Sequence, residues 1–273
     1  MRIALTIASL SVLLAVPTFA QSFLTEELSP RAVSLGGAFV GLADDAAAAL
    51  WNPAGLFTLE GIGILGRLAM PAPTTPFEIF GGAVSGGLLG IGGALWHGNK
   101  ILKVPTRREQ TLTLVAIGVG VRERMSAGVA VKLYDERRTG QRFHGTGVDI
   151  GLMVRFGWIW GGLAVTELLG TRLVGQRDFV ELPMIVRMGT AIHLWGSRLR
   201  LLAAIDLARS EELRAIRGGL ELQLLEGITL RVGWNGRELT WGGSLGVFYI
   251  VQTDFAWQAD GWAVSTELAF GRR

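Results

Sequence analysis

The chain has 273 residues, no cysteine, 39 glycines and 9 tryptophans; 49% of its residues are hydrophobic, 18% are charged, and the net charge is +3. High apolar content with little net charge excludes disorder, and the lack of cysteine excludes a disulfide scaffold, a cysteine-ligated zinc site and a cysteine nucleophile. Soluble domains carry about 25% charged residues and about 7% glycine, so this composition points to a membrane, with too much glycine for long helices, where each costs about 1 kcal/mol against alanine.

Residues 1–20 (MRIALTIASLSVLLAVPTFA) hold one charge, Arg2, then an apolar run, and end on Pro17-Thr18-Phe19-Ala20 before Gln21. These are the three regions of a secretory signal peptide, with cleavage expected near Ala20. The run is short for a membrane anchor, which needs about 20 apolar residues. Without Arg2 the chain has 25 Lys+Arg against 23 Asp+Glu, a net charge of +2, which gives nucleic-acid binding no support.

Residues 21–60 show no alternation. Pro30-Arg31-Ala32 leads to Gly36-Gly37-Ala38-Phe39, and Asp44 and Asp45 precede Ala46-Ala47-Ala48-Ala49-Leu50-Trp51. This predicts a short helix whose acidic start suits its dipole. Asn52-Pro53-Ala54-Gly55 ends it, since Pro, Asn-Pro and Gly mark breaks and turns. A catalytic pair or cation site at Asp44-Asp45 is the weaker reading. A compact, partly helical segment ahead of a barrel predicts a plug in the lumen.

Residues 61–273 read as strands. Ile79 to Asn99 is uncharged and long enough for a helical span, but it holds eight glycines; two strands around a turn at Ser85-Gly86-Gly87 fit better. Elsewhere the period is two. Val129, Val131 and Leu133 oppose Lys132 and Tyr134; Val148, Ile150, Leu152, Val154 and Phe156 oppose Gly147, Asp149, Gly151, Met153 and Arg155. Ile216 to Leu224, Ile228 to Asn235 and Val251 to Gln258 repeat the pattern. A soluble barrel alternates too, with its apolar face inward. The export signal, the small and sparsely charged polar face, and tryptophans near strand ends (Trp96, Trp158, Trp160, Trp195, Trp241, Trp262) favour a membrane barrel with aromatic girdles. Long links (70–76, 97–110, 135–146, 168–183) and a medium one (208–213) alternate with tight ones (85–87, 122–125, near 158, 195–198, 225–227), as external loops and periplasmic turns do. The long links carry arginines such as Arg107, Arg137, Arg142 and Arg172, so the outer rim is expected to be basic. The fold class is therefore all-β: an antiparallel transmembrane barrel of about fourteen strands with a short N-terminal plug. The expected divisions are signal peptide 1–20, plug 21–60 and barrel 61–273.

The same alternation turns Lys132, Arg155, Arg187, Arg217 and Arg231 inward, together with Asp149, Asp206, Glu221, Asp254 and Glu267. Five positive groups meet five negative ones, whereas an ion-selective pore favours one sign. A pairing network that holds barrel and plug together is expected, so that Asp149→Ala harms folding more than selectivity.

Ser34-Leu35-Gly36-Gly37-Ala38-Phe39-Val40-Gly41-Leu42-Ala43-Asp44-Asp45 and Trp51-Asn52-Pro53-Ala54-Gly55-Leu56 resemble the N-terminal signature of the FadL superfamily of outer-membrane transport proteins, most closely its PorV/PorQ branch. Glu181-Leu182-Pro183, Arg187-Met188-Gly189, Gly219-Leu220-Glu221, Leu230-Arg231-Val232-Gly233-Trp234 and Thr253-Asp254-Phe255-Ala256 resemble that branch more weakly. The resemblance implies a fourteen-stranded bacterial outer-membrane barrel with its N-terminal segment in the lumen. PorV members imply a role in protein secretion, with secreted proteins or secretion-system components as partners. FadL members imply passage of hydrophobic small molecules such as fatty acids. The chain is much shorter than fatty-acid transporters, which weakens that second role.

No constellation for catalysis emerges. His97, His144 and His193 lack metal-site spacing, and no nucleophile elbow or phosphate loop is present. No enzyme activity, cofactor or metal is expected, and no partner beyond outer-membrane lipid and the cargo or ligand named above. A secretion component is the first reading, a small FadL-type conduit the second, and a permanently plugged structural barrel the third.

Overall fold

Side chains that alternate between lipid and lumen require a wall one strand thick, and the chain builds one. In a computed structural model the described residues are 29–59, 61–70, 79–85, 91–102, 108–121, 124–138, 140–176, 178–208, 213–247, 250–258 and 261–270. The expected signal peptide lies outside them. In β1–β3, and at Glu267 and beyond, only the backbone is described. The strands in chain order are β1 (Gly61–Met70), β2 (Ile79–Ser85), β3 (Ile91–Leu102), β4 (Arg108–Val121), β5 (Met125–Arg138), β6 (Gln141–Phe156), β7 (Ile159–Thr166), β8 (Thr171–Val174), β9 (Phe179–Leu182), β10 (Ile185–Leu194), β11 (Leu199–Ala208), β12 (Leu213–Leu225), β13 (Ile228–Trp234), β14 (Leu239–Val247), β15 (Val251–Gln258) and β16 (Gly261–Phe270).

Fourteen of these strands form the wall among the described residues, each antiparallel to its neighbours; β1 pairs with β16 and β5 with β6, which closes the ring. Closure leaves no unpaired edge in lipid, the condition for any sheet that spans a bilayer. The remaining two strands, β8 and β9, make a small hairpin that touches β6 at His144↔Val174. No described helix is long and apolar enough to cross a membrane.

The faces separate as the alternation requires. Val131 is 43% exposed, Leu133 54% and Leu152 52%, whereas Lys132 and Asp149 are 1% exposed. The apolar residues therefore face lipid and the charged ones the interior. Val148→Arg, on the lipid face, is expected to cost about 2–4 kcal/mol near the midplane; urea unfolding in lipid vesicles measures it, and an unchanged midpoint would mean the faces are reversed. Trp158 and Trp195 stand exposed at the turn side, where the short links lie, and Trp241 and Trp262 at the loop side. There Trp241 meets Trp257 at 6.0 Å and Trp262 at 4.9 Å between ring centroids. Two aromatic belts result.

Four expectations are corrected. Trp160 belongs to neither belt, because it faces inward and packs on the interior cluster. The expected loop 97–110 is mostly strand, and β5 and β6 stay paired out to Arg138↔Gln141, so the expected loop 135–146 is the tip of a long hairpin. Beyond the apolar band the outer face is polar (Asp135, Arg137, Arg142, His144) and the buried inner face holds Glu136 beside Phe143, so hydrophobic alternation disappears while the backbone ladder continues. The expected loop 168–183 contains the β8–β9 hairpin. The contrast between long and short links is correspondingly weaker than the sequence suggests.

Candidate functional site

Residues 29–59 lie inside the ring. The Ser29 hydroxyl accepts from the Ala32 amide at 3.2 Å and starts α1 (Pro30–Ser34). The chain then turns through Gly36 and Gly37, both at positive φ. The Ala47 amide donates to Asp45 Oδ1 at 2.8 Å ahead of α2 (Ala48–Trp51). Asn52 ends α2 and caps the 3-10 helix Pro53–Thr58, its Oδ1 accepting from the Ala54 amide at 3.2 Å. Helix α1 packs on β13–β16 and the 3-10 helix on β2–β6, so the segment crosses the lumen. Leu35, Phe39, Leu42 and the alanines 46–49 are fully buried.

The wall receives the segment on glycines. A Cβ on Gly233 would come within 3.0 Å of the Gly36 nitrogen, one on Gly162 within 3.0 Å of the Val40 carbonyl, and one on Gly128 within 3.0 Å of Pro53 and Ala54. Asn52 Nδ2 bridges segment and wall, donating to the carbonyls of Val40 (2.9 Å) and Leu152 (3.1 Å).

The inward charges fall into three clusters. The first joins segment to wall. Arg31 pairs with Asp44 at 2.6 Å, Asp45 at 3.0 Å and Glu221 at 3.0 Å. Glu221 also binds Arg200, and it binds Arg231 at 2.6 Å; Arg231 holds Asp254 at 2.7 Å. Burial lowers the Arg31 guanidinium pKa, but Asp44, Glu221 and Asp45 outweigh it and hold it well above its ordinary value. Burial raises Asp44, and Arg31 and Arg200 outweigh that to leave it below the usual range. Asp45 is pushed up by burial, which Arg31 only partly offsets. The second cluster sets Asp206 between Arg217 at 2.9 Å and Arg187 at 3.4 Å. Arg187 also lies 5.1 Å from the Trp51 ring centroid. The third pairs Lys132 with Asp149 at 2.6 Å and with Glu167 at 3.4 Å; Tyr134 and Thr171 donate to Glu167 as well.

Each expected lumen charge with a described side chain faces inward. Arg155 stacks 3.8 Å from the Trp160 centroid, and the Glu267 side chain lies outside the described residues. The motif residues Gly36, Gly37, Ala38, Phe39, Asp44, Asp45, Asn52, Pro53, Ala54 and Gly55 all belong to the lumen segment. Asp44 and Asp45 are chiefly partners of Arg31, and only Asp45 also serves the helix start. Sequence reasoning missed Arg31, Glu167 and Arg200. Arg200 carried a signal, since it has the parity of Asp206 on β11; Arg31 and Glu167 carried none. Among the described residues no three potential metal ligands cluster.

The loop side of the lumen holds an apolar cluster beside the buried Gln110 and Glu136. Leu112, Leu114, Tyr134 and Phe143 point in from β4–β6 and are each at most 4% exposed. Leu173 and Leu182 of the β8–β9 hairpin join the same cluster, and Val180 packs against it. Glu167 and Gly170, at φ 54° and 71°, turn the chain into this hairpin.

No family model matches the chain, and no curated protein matches it. Among solved structures, the CymD monoaromatic hydrocarbon channel aligns with a TM-score of 0.64 at 10% identity, over 92% of this chain and 100% of that one. The TodX monoaromatic hydrocarbon channel deltaS2 mutant gives 0.62 at 11%, over 91% and 100%. A Pseudomonas aeruginosa FadL homologue gives 0.61 at 10%, over 92% and 99%. The chain has the fold of the FadL-type outer-membrane channels. At these identities the likeness is one of fold.

Proposed function

We propose that the chain is a non-enzymatic barrel of the bacterial outer membrane that passes hydrophobic small molecules, with residues 29–59 as its plug. The observation that carries this is the apolar loop-side lumen of Leu112, Leu114, Tyr134, Phe143, Leu173 and Leu182. Barrel interiors are ordinarily polar, so inward apolar side chains at this end support passage of an apolar molecule once they part. The fold of hydrocarbon channels agrees with it. A secretion component of the PorV/PorQ type draws its support from sequence motifs alone. The strongest of those motifs lies in the plug and belongs to the wider superfamily signature, so this role ranks second.

The test is binding of toluene to the folded protein in detergent, followed by calorimetry. Saturable binding is expected, weakened at least tenfold by Leu173→Asp. Absence of binding, or equal binding by the variant, would remove the proposal. Co-purification of large secreted proteins from native membranes would favour the secretion role instead.

A further inference from the structure

One inward row is not explained by plugging or by an apolar ligand. Four adjacent wall strands present Arg155, Trp160, His193 and Arg200 at the turn-side end of the lumen. Arg155 is paired in register with Trp160, and His193 with Arg200. The Trp160 ring lies 4.1 Å from the imidazole, tilted by 40°, and 3.8 Å from the Arg155 guanidinium. The indole therefore fixes both groups. His193 is 7% exposed, and its ring nitrogens make no well-aligned hydrogen bond, the backbone of Trp158 being the one group that acts on the imidazole as an acceptor; Arg200 Nε is also buried without a partner. Arg200 is otherwise bound to Glu221. The acidic group of the plug that acts on His193 is Asp44, which is engaged by Arg31 at 2.6 Å.

Buried polar atoms are ordinarily satisfied, and a cluster of unsatisfied ones calls for a missing partner. Two guanidiniums flanking an imidazole repel a cation, and an apolar guest would leave the nitrogens unpaired. A negatively charged group that accepts from a guanidinium N–H and from the single N–H of the imidazole fits this row, because charge-assisted bonds to guanidinium are the strong ones. We propose that His193, Arg200 and Arg155 form a site for a small oxyanion, of the phosphate or carboxylate class, entering from the turn side. Because Arg200 also holds Glu221, the bound oxyanion competes with that carboxylate and acts on the latch that Glu221 makes with Arg31 of the plug.

The test is calorimetric titration of the full-length folded protein in neutral detergent with inorganic phosphate and, separately, with acetate. Saturable binding of at least one is expected, and the tighter anion names the class. His193→Leu is expected to weaken it at least tenfold, while Arg172→Gln on the loop-side rim leaves it unchanged. If His193→Leu does not fold, 15N-histidine spectra of the unaltered protein serve: one of its three imidazoles is expected to shift saturably with the anion. Absence of saturable binding by both anions, equal binding by the His193 variant, or histidine resonances that do not respond would each overturn the proposal.

Discussion

Glu221→Ala is expected to destabilise the protein by about 3–5 kcal/mol, the cost of removing one partner from a buried ionic group. Glu221 is 1% exposed and is shared by Arg31, Arg200 and Arg231. Arg231 keeps Asp254 and Arg31 keeps Asp44 and Asp45, so the loss falls hardest on Arg200, whose other side is the imidazole of His193. Removing the one carboxylate shared by three guanidiniums, two of them with side chains only 6% and 2% exposed, is what makes the number large. The exposed pair Arg172–Glu181, with side chains 68% and 58% exposed, gives the contrast: Glu181→Ala is expected to cost less than about 1 kcal/mol, since solvent screens such pairs. Urea unfolding in lipid vesicles measures both. Trypsin sensitivity at Arg31 separates plug release from barrel unfolding. If the Glu221 variant unfolds with the midpoint of the parent and stays trypsin-resistant, the plug is not held by this carboxylate.

The wall was legible wherever a strand has lipid on one side and lumen on the other. Val148–Phe156 and Ile228–Trp234 display their faces in the bare sequence because each alternate position meets a different solvent. The hairpin tip at Asp135–His144 displays nothing, because its outer face carries Asp135, Arg137, Arg142 and His144 while the inner face buries the charged Glu136 beside Phe143, so polarity does not separate the faces. The segment Ile159–Thr166 hides Trp160 for another reason: Gly161, Gly162 and Ala164 dilute the contrast, and the register against β6 decides which way the indole points. Parity located the inward charges, but it assigned no partners. The clusters depend on where the plug brings Arg31 and on how Glu167 turns inward at positive φ, and neither follows from spacing along the chain. Glycine was the least legible residue type. Nothing in the sequence of β5, β7 or β13 shows that Gly128, Gly162 and Gly233 are contact points for another backbone, as the structure makes them.

That role gives the second large effect. Gly233 lies on β13, paired to β12 and β14 on its two sides, so its backbone has no freedom to retreat. Across from it Gly36, at φ 66°, brings its own Cα against the backbone of Trp234, and its amide donates to Thr240 Oγ1 at 3.1 Å. Two glycines, one on each side, allow two main chains to touch. Gly233→Ala puts a methyl group where the Gly36 nitrogen stands, and the plug must move. Overpacking of this kind costs about 1–3 kcal/mol, and the strain falls on the plug rather than on the ladder. The variant is therefore expected to keep the heat-modifiable migration of a folded barrel while its conductance in planar bilayers rises above that of the parent. Gly218→Ala is the matched control on the same sheet, since a Cβ there has its nearest neighbour 3.9 Å away, and it is expected to leave both properties unchanged. A Gly233→Ala barrel that stays as closed as its parent would show that the lumen segment yields without opening a path. The plug would then be a packed core of the barrel, and passage of a ligand would have to avoid it altogether.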